Sequence, residues 1–258
     1  MTLPLWQQLT FLSPVSEQRA ETHVAWLAEG LGAGTVADVG CGWAELLLRV
    51  VARAPRARGL GVDLDADRVE HARTVATERG LRDRVELVAG AGVEHLPERV
   101  EALVAVGASQ VWGATPEVGP DDAYDQPLDY TAALRALRRA VPRGGRVYYA
   151  EAVWSRPPTP EAVAPLGGRD DELVALPELL DLAKEAGFGV LGFGESTLQE
   201  WDDFESGFAA GHVAWLAAHE PDHPEAAAVR ERADRQYAAY LRGYRGVLGF
   251  AHLRLVAL

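Results

Sequence analysis

Apolar positions along the chain recur with two different periods, and the places where the period changes mark the elements. Val24, Leu27 and Ala28, with Trp26, carry helical spacing over residues 16–29, and the glycines at 30, 32 and 34 end that helix. A short apolar run, 35–40, closes on Gly40 and predicts a buried strand. Helix follows over 44–53, strand over 57–64, and helix over 65–79 with Asp65 as its cap. Strands are expected at 84–89 and 101–107, separated by a single helical turn at 93–96.

Residues 113–127 are rich in Gly, Pro and Asp and read as a loop. Helical spacing returns over 128–141, a turn at 143–145 precedes a strand at 146–153, and 155–172 reads as a Pro- and Gly-rich surface segment. Helix is expected at 176–186, strand at 190–196, two helices between 200 and 243 with a break at 220–224, and a last strand at 247–258. Strands alternating with helices predict parallel β-α-β units. The expected fold is α/β, a doubly wound, mostly parallel seven-stranded sheet with helices on both faces and a helical insertion before the last strand. The rhythm leaves the direction of that last strand open. The expected layout is a helical lid over 1–34, a core over 35–198, a helical cover over 199–246 and the final core strand over 247–258.

Composition narrows the partners. The 258 residues carry a formal net charge of −13, and Lys184 is the only lysine. That balance argues against nucleic acid and anionic membranes. No apolar run is long enough to span a bilayer, and the first residues lack the pattern of a secretory signal, so a soluble, cytoplasmic protein is expected, its oligomeric state open. The arginine-for-lysine bias with abundant alanine suggests a GC-rich genome, which concerns codons and not mechanism. Cys41, the one cysteine, offers neither a disulfide nor a thiolate metal site and reads as a small residue in a tight turn. No metal site is expected, because Pro221 and Pro224 interrupt the helix that would align His219 with His223.

The chemistry concentrates at strand ends. The first strand ends in Asp38-Val39-Gly40-Cys41-Gly42-Trp43-Ala44. Glycines there let the chain turn sharply and approach a ligand closely. A dinucleotide site wants a small residue three positions after Gly42; Glu45 stands there, and its carboxylate would repel a pyrophosphate. Asp63, 21 residues after Gly42, ends the second strand, where an acid accepts from both hydroxyls of a ribose; it also stands where a helix cap could. A ribose without a pyrophosphate points to S-adenosyl-L-methionine.

The succession VADVGCGWAELLLR, GVDLDADRVEHAR, RVELVAGAG, ALVAVGASQVWG and LRRAVPRGGRVYYAEAVW, across about residues 35–155, resembles the ordered motifs of class I (Rossmann-like) S-adenosylmethionine-dependent methyltransferases of the bacterial small-molecule type. The resemblance implies that Gly40 and Gly42 line the methionine part, with Asp38 supporting the turn or the amino group. It puts Asp63 on the ribose, Leu64 on the adenine, Gly90, Ala91 and Gly92 along the adenine edge, and Gly107 beneath the sulfonium. Ala44 replaces the family's third glycine, and Ala91 stands where the family usually has an acid for the adenine amino group.

The acceptor side is expected beyond the carboxyl ends of strands four and five. Ser109, Gln110, Trp112 and Trp154 are candidates there. Glu151, on the same strand face as Tyr149, is either a substrate-orienting acid or base or a solvent-exposed strand end. Trp201 begins an aromatic and acidic stretch, 201–205, that suits an amine or another partly cationic acceptor or else simply starts a helix. His212 is a candidate base or a core-edge histidine. Trp6 and Phe11 either close over the cofactor or pack in the core. The implied activity is methyl transfer to N, O or C of a small molecule by in-line displacement. The alternatives are a cyclase or decarboxylase that retains the cofactor, or a catalytically silent binding module.

Overall fold

The computed structural model describes residues 9–98, 100–113 and 128–258, so Trp6 and most of the expected 113–127 loop lie outside the described residues. Each strand run pairs into one sheet. The elements are α1 (Glu17–Ala28), β1 (Thr35–Val39), α2 (Glu45–Arg53), β2 (Arg58–Asp63), α3 (Ala66–Glu78), β3 (Val85–Ala89), β4 (Ala102–Val106), α4 (Ser109–Trp112), α5 (Tyr130–Ala140), β5 (Arg146–Trp154), α6 (Pro160–Val163), α7 (Leu176–Glu185), β6 (Phe188–Glu195), α8 (Leu198–Ala217), α9 (Ala226–Ala239) and β7 (Leu248–Ala257). The seven strands lie in the order β3-β2-β1-β4-β5-β7-β6.

Strands β1 to β5 are mutually parallel, while β7 runs antiparallel between β5 and β6. That settles the direction the sequence rhythm left open. After β6 the chain passes through α8 and α9 and re-enters the sheet from the same end, beside the last residues of β5 and β6, so β7 runs the opposite way. The α8–α9 insertion therefore sits beyond the carboxyl ends of the parallel strands, above the ligand crevice such sheets form.

Local chemistry sets the helix starts. Ser16 accepts from the Arg19 amide at α1, and Asp65 accepts from the Asp67 and Arg68 amides at α3. Thr197 and Glu200 form a reciprocal capping box at α8. The 155–172 segment is not wholly irregular: Thr159 caps α6, and a 3-10 turn, Ala164–Leu166, follows.

Two apolar layers flank the sheet. Leu47, Val51, Val69 and Tyr148 fill the face covered by α1, α2 and α3. Leu134, Leu137, Tyr149 and Leu179 fill the face covered by α5 and α7. Each such fully buried leucine contributes about 1.5–3 kcal/mol, which holds the strand ends rigid under the crevice. No helix among the described residues is long and apolar enough to cross a membrane.

Candidate functional site

A crevice of about 330 Å³ opens at the carboxyl ends of β1, β2 and β4. Its floor is the β1–α2 turn. Gly40 and Gly42 have φ of 82° and 55°, conformations that favour glycine. A side chain at Gly42 would meet Leu12 at 2.8 Å, and one at Gly40 would meet Ala108 at 3.0 Å. The turn is pinned by the Gly40 and Cys41 amides, which both donate to the Val62 carbonyl. Ala44, in the third glycine position, is held at φ 59° and is fully buried. The backbone thus keeps the left-handed step that glycine would take, and an alanine methyl fills the core beneath it.

Asp63 faces this crevice. Its Oδ2 accepts from the Gly42 amide at 2.7 Å and its Oδ1 from the Asp65 amide at 2.9 Å. Those two bonds fix the carboxylate plane and leave a lone-pair position on each oxygen for further donors. The helix cap itself is Asp65, so Asp63 stays available to a ligand. Asp38 also lines the crevice and is buried. No group donates a hydrogen bond to its carboxylate among the described residues. Burial, and after it the nearby Asp63, pushes its carboxyl well above the usual range. A buried acid without a partner is the chemistry that a primary ammonium satisfies.

Gly107, at φ 60°, lines the crevice opposite. Leu64 stands largely exposed beside Asp63, an apolar surface open to a flat ring. Gly90 donates to the Asp63 carbonyl at 2.9 Å. Gly90, Ala91 and Gly92 stand outside the lining of the crevice, and the Glu94 carboxylate lies beside Gly92, where a side chain would meet its Oε2 at 2.8 Å. Cys41 lines the crevice with its thiol pushed well up by burial and then by Asp38 and Asp63, which keeps it protonated and inert. Glu45 is tied to Arg49 at 2.6 Å and Arg79 at 2.8 Å. Its charge is thus offset by two guanidinium groups, and what it denies a pyrophosphate is chiefly space.

The other wall is aromatic. Phe11, Trp201, Phe204 and Phe250 line it with Val106 and Ala152. Trp201 meets Phe204, Tyr244 and Phe250 edge-on, with centroids 6.1, 6.2 and 6.4 Å apart. Its indole N–H is buried and has no acceptor among the described residues. The carboxylates between these aromatics turn elsewhere. Asp202 binds Arg245 and Tyr240, Asp203 accepts from Gln199, and Glu205 accepts from Tyr244 and Gln236. The expected mixture of aromatic faces and carboxylates around an amine is therefore separated by the helix. Residues 201 and 204 share the crevice side, Asp202 and Glu205 face α9 and the segment after it, and Asp203 stays with Gln199 on α8.

The remaining candidates stand outside the lining of the crevice. Glu151 is neither an exposed strand end nor a crevice acid. It is buried, its oxygens accept from the Ser109 and Ala152 amides at 3.0 Å each, and burial raises its carboxyl despite them. Ser109 is buried with its hydroxyl against that of Tyr149 at 2.6 Å. Together these groups lock α4 onto β5. Gln110 donates back to the Gly107 carbonyl. Trp112 is in the core under α5, and Trp154 donates to the Asp170 carbonyl at 3.0 Å. His212 is buried on α8, with Nδ1 3.3 Å from the Phe208 carbonyl.

Sequence reasoning passed over Phe250, Arg68 and the 12–14 strap, all of which line the crevice. Arg68 forms an ion pair with Asp65 at 3.0 Å, but its Nε has no well-directed hydrogen bond. Its place in the first turn after Asp63 was a usable signal. The strap is held down by the Trp43 indole donating to the Thr10 carbonyl and the Ser196 hydroxyl donating to the Pro14 carbonyl.

Residues 36–145 match the model of a family described as a methyltransferase domain. The fold is shared with a S-adenosylmethionine-dependent methyltransferase from Geobacter sulfurreducens, solved with S-adenosyl-L-homocysteine. That likeness has 23% identity and a TM-score of 0.80, and covers 98% of this chain and 96% of that one. A second, from Thiobacillus denitrificans and also solved with S-adenosyl-L-homocysteine, gives 23%, 0.78, 98% and 96%. The [4+2]-cyclase SpnF matches at 22% identity and TM-score 0.64, over 93% of this chain and 82% of that one. At such identities these likenesses fix the fold.

Proposed function

We infer, from the premise that residues 36–145 are a methyltransferase domain on the class I fold, that this protein transfers a methyl group from S-adenosyl-L-methionine to a small, largely apolar acceptor. The observation that carries the reading is the pair of acids on the glycine turn. Asp63 is oriented by two backbone amides, and Asp38 is buried without a partner. Both fit the cofactor: Asp63 holds the ribose hydroxyls, Asp38 holds the ammonium, Gly40, Gly42 and Gly107 admit the methionine chain, and Leu64 covers one adenine face. The adenine edge beside Gly90–Gly92 is met by backbone groups.

When bound, the cofactor supplies an electrophilic methyl group on a sulfonium. The chain's part is to orient and to exclude water. Phe11, Trp201, Phe204 and Phe250 form an apolar wall facing the glycine turn. They place an acceptor against that turn and present π-faces to a cationic centre. The acids within the lining, Asp38, Glu45 and Asp63, stand on the cofactor side. An acceptor that already carries a lone pair at neutral pH therefore fits better than one needing deprotonation. Ser109, Gln110, Trp112 and Trp154 act in this reading as supports of the strand ends, with Glu151, and His212 belongs to the packing of α8.

The test has two readouts. Calorimetry should show saturable S-adenosylhomocysteine binding to the wild type. Mass spectrometry of an acceptor panel of neutral aromatic and heteroaromatic compounds should show products heavier by about 14 Da, one CH₂. Binding without added mass, but with isomerised product, would move the assignment to the cyclase reading. Absence of binding would remove both.

A further inference from the structure

A second cavity, of about 540 Å³, lies on the α1 face of the sheet at its β6 edge and shares no lining residue with the crevice. Its floor is Gly192 and Gly194 on β6, with His252 and Arg254 on β7. Its walls are Arg19, Thr22 and His23 on α1, and Thr197, Gln199, Glu200 and Asp203 at the start of α8.

Most of its polar groups are already engaged. Arg19 and Glu200 form a two-pronged pair at 2.7 Å each, and Glu200 also accepts from Ser16 and Thr197. Burial opposes ionisation of Glu200, but the bonds from Arg19 and Ser16 outweigh it and keep the carboxyl low. The Ser196 hydroxyl donates to Pro14, so it accepts from Nε2–H of His252 at 2.7 Å, and Nδ1 of His252 accepts from Tyr148 at 2.9 Å. Thr22 donates to the Gln18 carbonyl, and Asp203 accepts from Gln199.

Beside the exposed Gln18 amide, two groups deeper in the cavity stand out. The Arg254 side chain has no ion pair and no hydrogen bond among the described residues, although a lone guanidinium in a cavity ordinarily finds an acceptor. It lies flat over Gly192, where a side chain would meet Nη2 at 2.6 Å and Nε at 2.8 Å. The β6 register slips between Val190 and Gly192 at this point, which makes room for it. His23 is 93% buried (7% exposed) and stacks on Tyr148 at 3.9 Å, and its Nδ1 has no partner. Burial, then the charges of Arg254 and Arg19, lowers this imidazole to about 4.

We propose that this cavity binds a small monocarboxylate, held by the Arg254 guanidinium fork beside His23. The balance of charge selects a monoanion. Arg19 is paired with Glu200, Arg254 has no ion pair among the described residues, and the exposed carboxylate of Asp203 at the rim opposes a second negative charge on the ligand. A planar carboxylate matches the guanidinium fork, and the open space above Gly192 and Gly194 takes its organic part.

The test is NMR of the full-length protein with side-chain labels on His and Arg, titrated with acetate, benzoate and inorganic phosphate. Benzoate and acetate should shift the Arg254 Nε–H and His23 ring signals saturably, with Kd in the range of about 1–50 mM expected of a single fork, and raise the His23 pKa. Arg254→Gln should weaken this at least about tenfold. Gly192→Ala, which displaces the guanidinium, should do the same while leaving the crevice intact, and added S-adenosylhomocysteine should not displace the probe. Three outcomes overturn the proposal: shifts equal in Arg254→Gln, phosphate binding as tightly as benzoate, or no saturation by about 100 mM.

Discussion

The two walls of the crevice are built on different principles. The wall proposed for the cofactor comes from one short stretch, 38–45, and one strand end, Asp63; its geometry is backbone geometry, set by left-handed residues and amide-to-carboxylate bonds. The aromatic wall gathers Phe11, Trp201, Phe204 and Phe250 from across the chain, and its geometry is side-chain packing. A wall written in backbone tolerates little change at a few positions. A wall written in packing can be re-cut for a new acceptor while the first stays fixed.

The sharpest way to break that contrast is Asp63→Ala. The substitution releases the Gly42 and Asp65 amides and, in the proposed reading, removes the acceptor for the ribose. With charged hydrogen bonds at about 1.5–3 kcal/mol each, S-adenosylhomocysteine affinity should fall about 100-fold or more by calorimetry. Retained affinity would mean that the acid does not grip the sugar.

Asp38 gives the next effect, and it runs in opposite directions for binding and for stability. Its carboxyl is raised in the free protein by burial and then by Asp63. Folding therefore favours its protonated form, so its contribution to stability is present below the ordinary value of 3.8 and is lost as pH rises through the raised value. Asp38→Asn should stabilise the ligand-free protein at neutral pH, read as a higher Tm than the wild type, because the amide carries no charge to bury. An ammonium in contact favours the ionised form, so S-adenosylhomocysteine affinity should fall as pH drops through that raised value, by at most about tenfold per pH unit. Calorimetry in two buffers should record proton release on binding. The Asn variant should bind more weakly and lose the pH dependence.

On the aromatic wall the effect should be smaller and confined to the acceptor. Phe204→Ala removes one edge-on partner of Trp201. It should raise the acceptor KM by about tenfold, the scale of one aromatic contact, with S-adenosylhomocysteine affinity unchanged. A parallel loss of cofactor affinity would show that the two walls are not independent.

The same contrast explains what could be read from sequence. Glycine at a strand end has few uses, so Gly40, Gly42 and Asp63 announce themselves by spacing alone. The seven strands were legible because β1 to β5 keep one apolar rhythm. The direction of β7 was not, because direction follows from where the long α8–α9 excursion returns the chain. Glu151 and Trp112 follow strand ends just as a ligand residue would. Only the side of the strand that faces the crevice, here Ala152 and not Glu151, separates support from contact. Asp202 and Glu205 flank crevice aromatics in sequence, but a 100° step per residue carries them to α9 and Arg245 instead.

His212 carries that distinction to its smallest test. It sits eleven residues beyond Trp201 on α8, three helical turns away, and its ring nitrogen approaches the Phe208 carbonyl of its own helix. A base for methyl transfer must reach the acceptor proton directly or through one water, and His212 is outside the crevice lining. His212→Gln keeps a donor for the Phe208 carbonyl. It should cost about 1 kcal/mol of stability, the worth of one imperfectly replaced buried hydrogen bond, and leave kcat within about twofold across pH 6–8. A loss of turnover of 100-fold or so with a flattened pH profile would instead bring α8 into the chemistry, and the packing wall would then have to be counted as a reacting one.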